Sequence, residues 1–206
     1  MPLRSTLAGA ATGVLLLGGV FGFAVGLPEW TGDEASADTS QDEADTTPVA
    51  DLLPDQLLNG GLVPIASIDP QFKDLAAQVA KYGSDKLTDA FGTDVAVGIY
   101  ATPNMQAQVA VTVYDGESGL FLQDGPPVPP EMSANSQTES DVQKVGDSVC
   151  IGQWQTQAKA KDQPPFQAQC QRVVDGRTIN VYAAPGISLE QAAQIIDDVA
   201  KQGGLG

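Results

Sequence analysis

Residues 169–183 read QCQRVVDGRTINVYA. Asp175-Gly176 stands between two runs in which β-branched and polar residues alternate. An Asp-Gly pair supplies the positive φ angles of a two-residue type I′ turn, whose twist matches that of paired strands. The stretch therefore predicts a tight antiparallel hairpin, with strands over about Phe166–Val174 and Arg177–Ala183. A third strand is expected just upstream, over about Gln143–Gln153.

The two cysteines fall on this framework. Cys150 lies in the upstream strand and Cys170 in the first arm of the hairpin, with 19 residues between them. A polar, proline-containing loop from Thr156 to Pro165 connects the strands, so the two positions can come opposite or diagonal to each other. Neighbouring strands bring Cα atoms within the ~7 Å that a disulfide requires. A metal site needs further ligands, and the chain has no histidine and no third cysteine. A redox pair normally reads C-x-x-C, and a thiol nucleophile normally has a histidine partner. The pair reads as a structural disulfide, contributing about 3 kcal/mol for a loop of this length.

Outward from this centre the pattern changes period. Asp69-Pro70 places an acceptor at a helix N-cap and proline at the first helical position. Phe72, Leu75, Ala76, Val79, Ala80, Leu87, Ala90 and Phe91 then share one helical face up to Gly92, with Gly83 a weak point in the middle. Two alternating strands follow: Val95, Val97 and Ile99 share a face, as do Ala107, Val109, Val111 and Val113, with the turn at TPNMQ. Residues 119–123 (GLFLQ) suit a short edge strand, and the proline-rich stretch 124–141 an exposed loop. At the C-terminal end Ser188 and Gln191 form a capping box. The stripe Leu189, Ala192, Ile195, Ile196, Val199, Ala200 follows, and Gly203-Gly204 ends the helix.

The order is helix, five or six mostly antiparallel strands, helix. The economical arrangement is an α+β two-layer domain over residues 63–203, with both helices on one face of a curved sheet and a short tail at 204–206. A β-sandwich or barrel with peripheral helices is the alternative.

Residues Leu7–Leu27 carry no charge over 21 positions, about the length that crosses a bilayer at a rise of ~1.5 Å per residue. This run is expected to be a transmembrane signal-anchor after a six-residue cytoplasmic stub; a cleaved signal peptide is the alternative. Arg4 precedes it and only acids follow closely, so the positive-inside rule places the main domain outside the cell membrane. Gly18, Gly22 and Gly26 recur every fourth residue and could let two membrane helices pack closely. Trp30 suits an interfacial anchor. From Pro28 to Leu62 there are nine acids and no base, which predicts a disordered acidic linker. Leu52-Leu53 and Leu57-Leu58 could begin a short helix that docks on the domain.

Over 206 residues there are 26 acids and 10 bases, a net charge of −16. That balance argues against nucleic-acid partners, whose affinity comes from clustered Lys and Arg. Without histidine, the commonest general base and most transition-metal sites are missing. No nucleophile elbow or phosphate loop occurs, and no cofactor or metal ligand set is expected. The acid pairs Asp197/Asp198, Asp115/Glu117 and Asp85/Asp89 are candidates by count alone, and solvated surface charge is their simpler reading. Trp154, Tyr100 and Tyr182, with Tyr114 and Phe166, could line a ligand groove, although strand aromatics usually serve as core.

The composition looks bacterial. The expected function is non-catalytic: a membrane-tethered extracytoplasmic domain that binds another envelope protein or a small ligand, held to lipid through residues 7–27. A carboxylate-dependent envelope hydrolase and a structural component of a membrane complex are the competing readings.

Overall fold

The computed structural model describes residues 47–119, 128–129, 136–156 and 163–206. The membrane run Leu7–Leu27 with Gly18, Gly22 and Gly26, the tether up to residue 46, and residues 120–123 of the expected edge strand lie outside the described residues. Among the described residues no helix is long and apolar enough to cross a membrane.

Seven strands form one sheet: β1 (Val63–Pro64), β2 (Val95–Ala101), β3 (Gln108–Asp115), β4 (Thr138–Val145), β5 (Ser148–Gln155), β6 (Gln167–Val174) and β7 (Arg177–Ala184). Their spatial order is β1-β2-β3-β7-β6-β5-β4, and every neighbouring pair is antiparallel. The hairpin at Asp175-Gly176 forms as read, with φ of 49° and 73° at the two turn residues. The expected strand over 143–153 is corrected to two strands, β4 and β5, which meet at Gly146-Asp147. β4 escaped notice because TESDVQKV has only Val142 and Val145 as apolar residues. It is an edge strand, where charged side chains guard against unwanted pairing.

Among the described residues three α-helices accompany the sheet: α1 (Ile65–Ile68), α2 (Lys73–Phe91) and α3 (Leu189–Gln202). Both predicted caps form. The Asp69 side chain accepts from Gln71 N, and Ser188 and Gln191 bond reciprocally. α2 stops at Gly92, whose φ of 69° puts it in the left-handed region.

Side chains alternate across the sheet, and one face carries the core. A single row runs through Gly98, Val111, Val181, Cys170 and Cys150 on five successive strands. Against this face lies α3, with Ile195, Ile196 and Val199 completely buried. The disulfide joins directly opposed residues of β5 and β6, with Cα atoms 4.1 Å apart, and both cysteines are fully buried.

The expectation that both helices share this face is overturned. α2 lies against the opposite face, the one that carries Val97 and Tyr114. The Cβ position of Gly83 is 3.5 Å from Val97 Cγ2, Val97 N donates to Ser84 Oγ at 3.1 Å, and Phe91 stacks on Tyr114 at 5.6 Å between ring centres.

The reason lies in residues 47–62, which composition assigns to the linker. They fold onto the α3 side of the sheet and cover β2 and β3 there. Leu52, Leu57 and Leu62 are essentially inaccessible. Tyr100 Oη donates to Pro54 O at 2.8 Å, Leu58 N donates to Asp198 Oδ2 at 2.7 Å, and Gln202 Nε2 donates to Gln56 O at 3.0 Å. A short 3-10 turn, Val49–Leu52, opens the segment. With that half of the core face filled, α2 packs on the other.

Candidate functional site

At the end of the sheet where β2 turns into β3 and β7 leads to α3, three loops border an open cavity of about 680 Å³. That is within the ~300–1,000 Å³ typical of small-ligand sites. Its walls come from residues 58–62, from the β2–β3 turn at 102–107, and from Pro185-Gly186-Ile187 with Gln191 of α3.

Each loop is fixed by local chemistry. Thr102 Oγ1 accepts from Gln106 N at 3.0 Å and Ala107 N at 3.1 Å, and donates to Asn104 Oδ1 at 2.7 Å. Asn104 Nδ2 in turn donates to Gln106 Oε1 at 2.9 Å. This side-chain chain holds Met105 at a φ of 59°. Across the cavity Leu58 and Asn59 take φ of 50° and 55°, and Leu57 and Leu62 exchange backbone hydrogen bonds of 2.9 and 3.1 Å to close their loop. Positive φ at non-glycine residues persists only where surrounding contacts over-determine it. The two loops are preformed.

The lining carries no charged side chain. Leu58, Leu62, Ala107 and Ile187 give it an aliphatic floor, with Leu62 and Ile187 buried. Gln191 Oε1 accepts from Ser188 N at 2.9 Å, which commits its oxygen and leaves its amide hydrogens. Among the described residues the Nε2 groups of Gln106 and Gln191 have no protein acceptor.

The aromatic residues nominated from sequence do not meet in one groove. Tyr100 and Trp154 are buried on the α3 face, but on β2 and β5, with three strands between them. Tyr182 is 37% exposed on the opposite face. Tyr100 and Trp154 instead repeat one packing device. Each ring lies over the glycine two residues earlier, where an added Cβ would meet Tyr100 Cε2 at 2.8 Å or collide with Trp154 Cη2. The polar tip of each then reaches a loop carbonyl, Pro54 O for Tyr100 and Gln163 O, at 2.9 Å, for Trp154. Burial raises the Tyr100 hydroxyl pKa well above the usual phenol range, and the nearby Asp55 charge adds to this. Tyr114 is buried under Phe91, and its pKa is also raised, by burial.

Trp154 borders a smaller cavity of about 370 Å³ with Pro164, Pro165, Asp141 and Glu190. Hydrogen bonding from Ser188 holds the Glu190 carboxyl below its usual pKa. Phe166 borders a third cavity, of about 310 Å³, with Gln153 and Ser140.

Four of the six candidate acids have structural partners. Asp197 pairs with Arg172 at 2.5 Å, Asp198 takes the Leu58 amide, Asp115 holds the buried Arg177 at 2.9 Å, and Asp85 pairs with Lys81 at 2.8 Å on the surface. Among the described residues no cluster of acids or cysteines is arranged to hold a metal ion. The cavity loops carried no motif; the only sequence signal was the TPNMQ turn.

No protein-family model, curated protein or solved structure matches this chain.

Proposed function

We propose that this chain is a non-catalytic binding domain of the cell envelope, tethered to the membrane by residues 7–27 and held outside it. The observation that carries the binding reading is the uncharged cavity built from three loops, two of them braced, on an otherwise acidic protein. The acids engaged in ion pairs and caps also favour binding over carboxylate chemistry.

The test uses the full-length chain in lipid nanodiscs, exposed to a solubilised envelope extract and followed by hydrogen exchange. Protection is expected in residues 58–62, 102–107 and 185–191, and Ala107→Leu, which fills the floor, should remove it. If protection falls elsewhere, or survives the substitution, the cavity is not the site. A reporter fused after Gly206 and found in the cytosol would sink the topology.

An assembly role is the second reading, favoured by α2. Its Leu75, Val79 and Tyr82 are 56%, 48% and 65% exposed and follow one another along the helix at spacings of four and three residues. Such spacing is how a helix offers anchors to a partner's groove. Serine at all three positions should then abolish co-purification of any envelope partner while leaving cavity protection intact.

A further inference from the structure

We infer that the cavity between the β2–β3 turn and the β7–α3 loop takes an uncharged peptide segment with an aliphatic side chain. The inference rests on the reading that this cavity is the binding site, and it names the ligand class.

The exclusions come first. A lining without Lys, Arg, Asp or Glu offers no opposite charge to a phosphate, carboxylate or ammonium group. Sugar rings and nucleobases characteristically stack on aromatic faces, and no Phe, Tyr or Trp lines the cavity.

What the lining does offer is specific. The side-chain amides of Asn104, Gln106 and Gln191 stand around a floor of Leu58, Leu62 and Ile187. Gln106 and Gln191 have given their oxygens to Asn104 Nδ2 and Ser188 N. Their remaining amide hydrogens are donors that can meet acceptors such as peptide carbonyls, and each amide oxygen keeps a second lone pair for a peptide N–H. The aliphatic floor complements one apolar side chain per visit. Pro103 and Pro185 restrict φ within the two loops, which lowers the entropy to be lost on binding.

The probe is acetyl-Ala-photoleucine-Ala-amide, incubated with the full-length chain in nanodiscs, irradiated, and mapped by peptide mass spectrometry. Saturable labelling is expected within residues 58–62, 102–107 or 185–191. Gln106→Ala, on the exposed turn, should weaken half-saturation about fivefold, the loss of one neutral hydrogen bond. Ala107→Leu should weaken it about tenfold or more by filling the floor. The unacetylated peptide acid, which carries both charges, should label markedly less. Competition by methyl glucoside or inorganic phosphate that protects the cavity loops from hydrogen exchange, without peptide labelling there, would overturn the ligand class and leave the site standing. Saturable labelling elsewhere, or labelling unchanged by both substitutions, would overturn the site as well.

Discussion

α2 and α3 start from the same kind of sequence and end in different environments. α3 begins at the Ser188 cap, α2 follows a 3-10 turn (Pro70–Phe72) capped by Asp69, and each carries an apolar stripe at helical spacing. α3 buries its stripe completely at Ile195, Ile196 and Val199, whereas α2 has no buried residue. α2 meets the sheet through Gly83 and Ser84 against Val97 and through Phe91 on Tyr114, and leaves Leu75, Val79 and Tyr82 to solvent. An apolar stripe thus records that a helix can be buried, not that it is. The core face has room for one helix and one more layer of side chains. Residues 47–62 occupy that layer with leucines spaced five apart, at 52, 57 and 62.

The contrast is open to direct attack. The largest effects belong on the α3 side. Ile195→Ala and Leu52→Ala should each destabilise the fold by about 2–5 kcal/mol, as deletions of buried aliphatic groups do. Urea unfolding measures this, and a near-zero cost for Leu52→Ala would return residues 47–62 to the linker. Replacing Cys150 and Cys170 together by Ala should cost about 3 kcal/mol in the same assay. A double mutant as stable as the parent would deny the disulfide a stabilising role.

Gly152→Ala should cost about 1–3 kcal/mol, because the new methyl group collides with the Trp154 ring. If its melting temperature matches the parent's, the ring does not rest on that glycine.

Tyr100→Phe should cost about 1 kcal/mol through loss of the bond to Pro54 O. It should also change the alkaline limb of stability. The folded hydroxyl has a raised pKa, so above the unfolded value of about 10 the unfolded chain releases a proton that the folded chain keeps. Stability contributed by Tyr100 is therefore intact below about pH 10 and is lost as pH rises further toward the folded pKa. Alkaline denaturation of the phenylalanine variant should be shallower than the parent's; identical curves would mean that Tyr100 is solvated.

Smallest of all, Leu75→Ser, Val79→Ser and Tyr82→Ser should each change stability by within about 0.5 kcal/mol, since these side chains are already in water. A loss above about 2 kcal/mol would show that the α2 stripe is packed after all, and would erase the contrast with α3.

Features that depend on neighbours in sequence could be read directly. The Asp175-Gly176 turn, the Asp69 and Ser188 caps, the β2–β3 hairpin and the pairing of Cys150 with Cys170 each rest on a few adjacent residues or on one short loop. β4 was hidden because an edge strand wets one side and needs little apolar content. The cavity was hidden for a related reason: its walls come from three loops at least 40 residues apart, and none of their residues is chemically unusual.

By itself the sequence determined the periods, the turns, the disulfide and the acidity, because backbone sterics, capping and charge act over a few residues. The docking of Leu52 and Leu57 was legible as an apolar patch, but the tertiary structure alone decided which face each helix occupies, that Leu62 joins the core with them, and that three uncharged loops meet around a cavity. Those outcomes follow from competition for one limited apolar surface, and no local pattern records which competitor prevails.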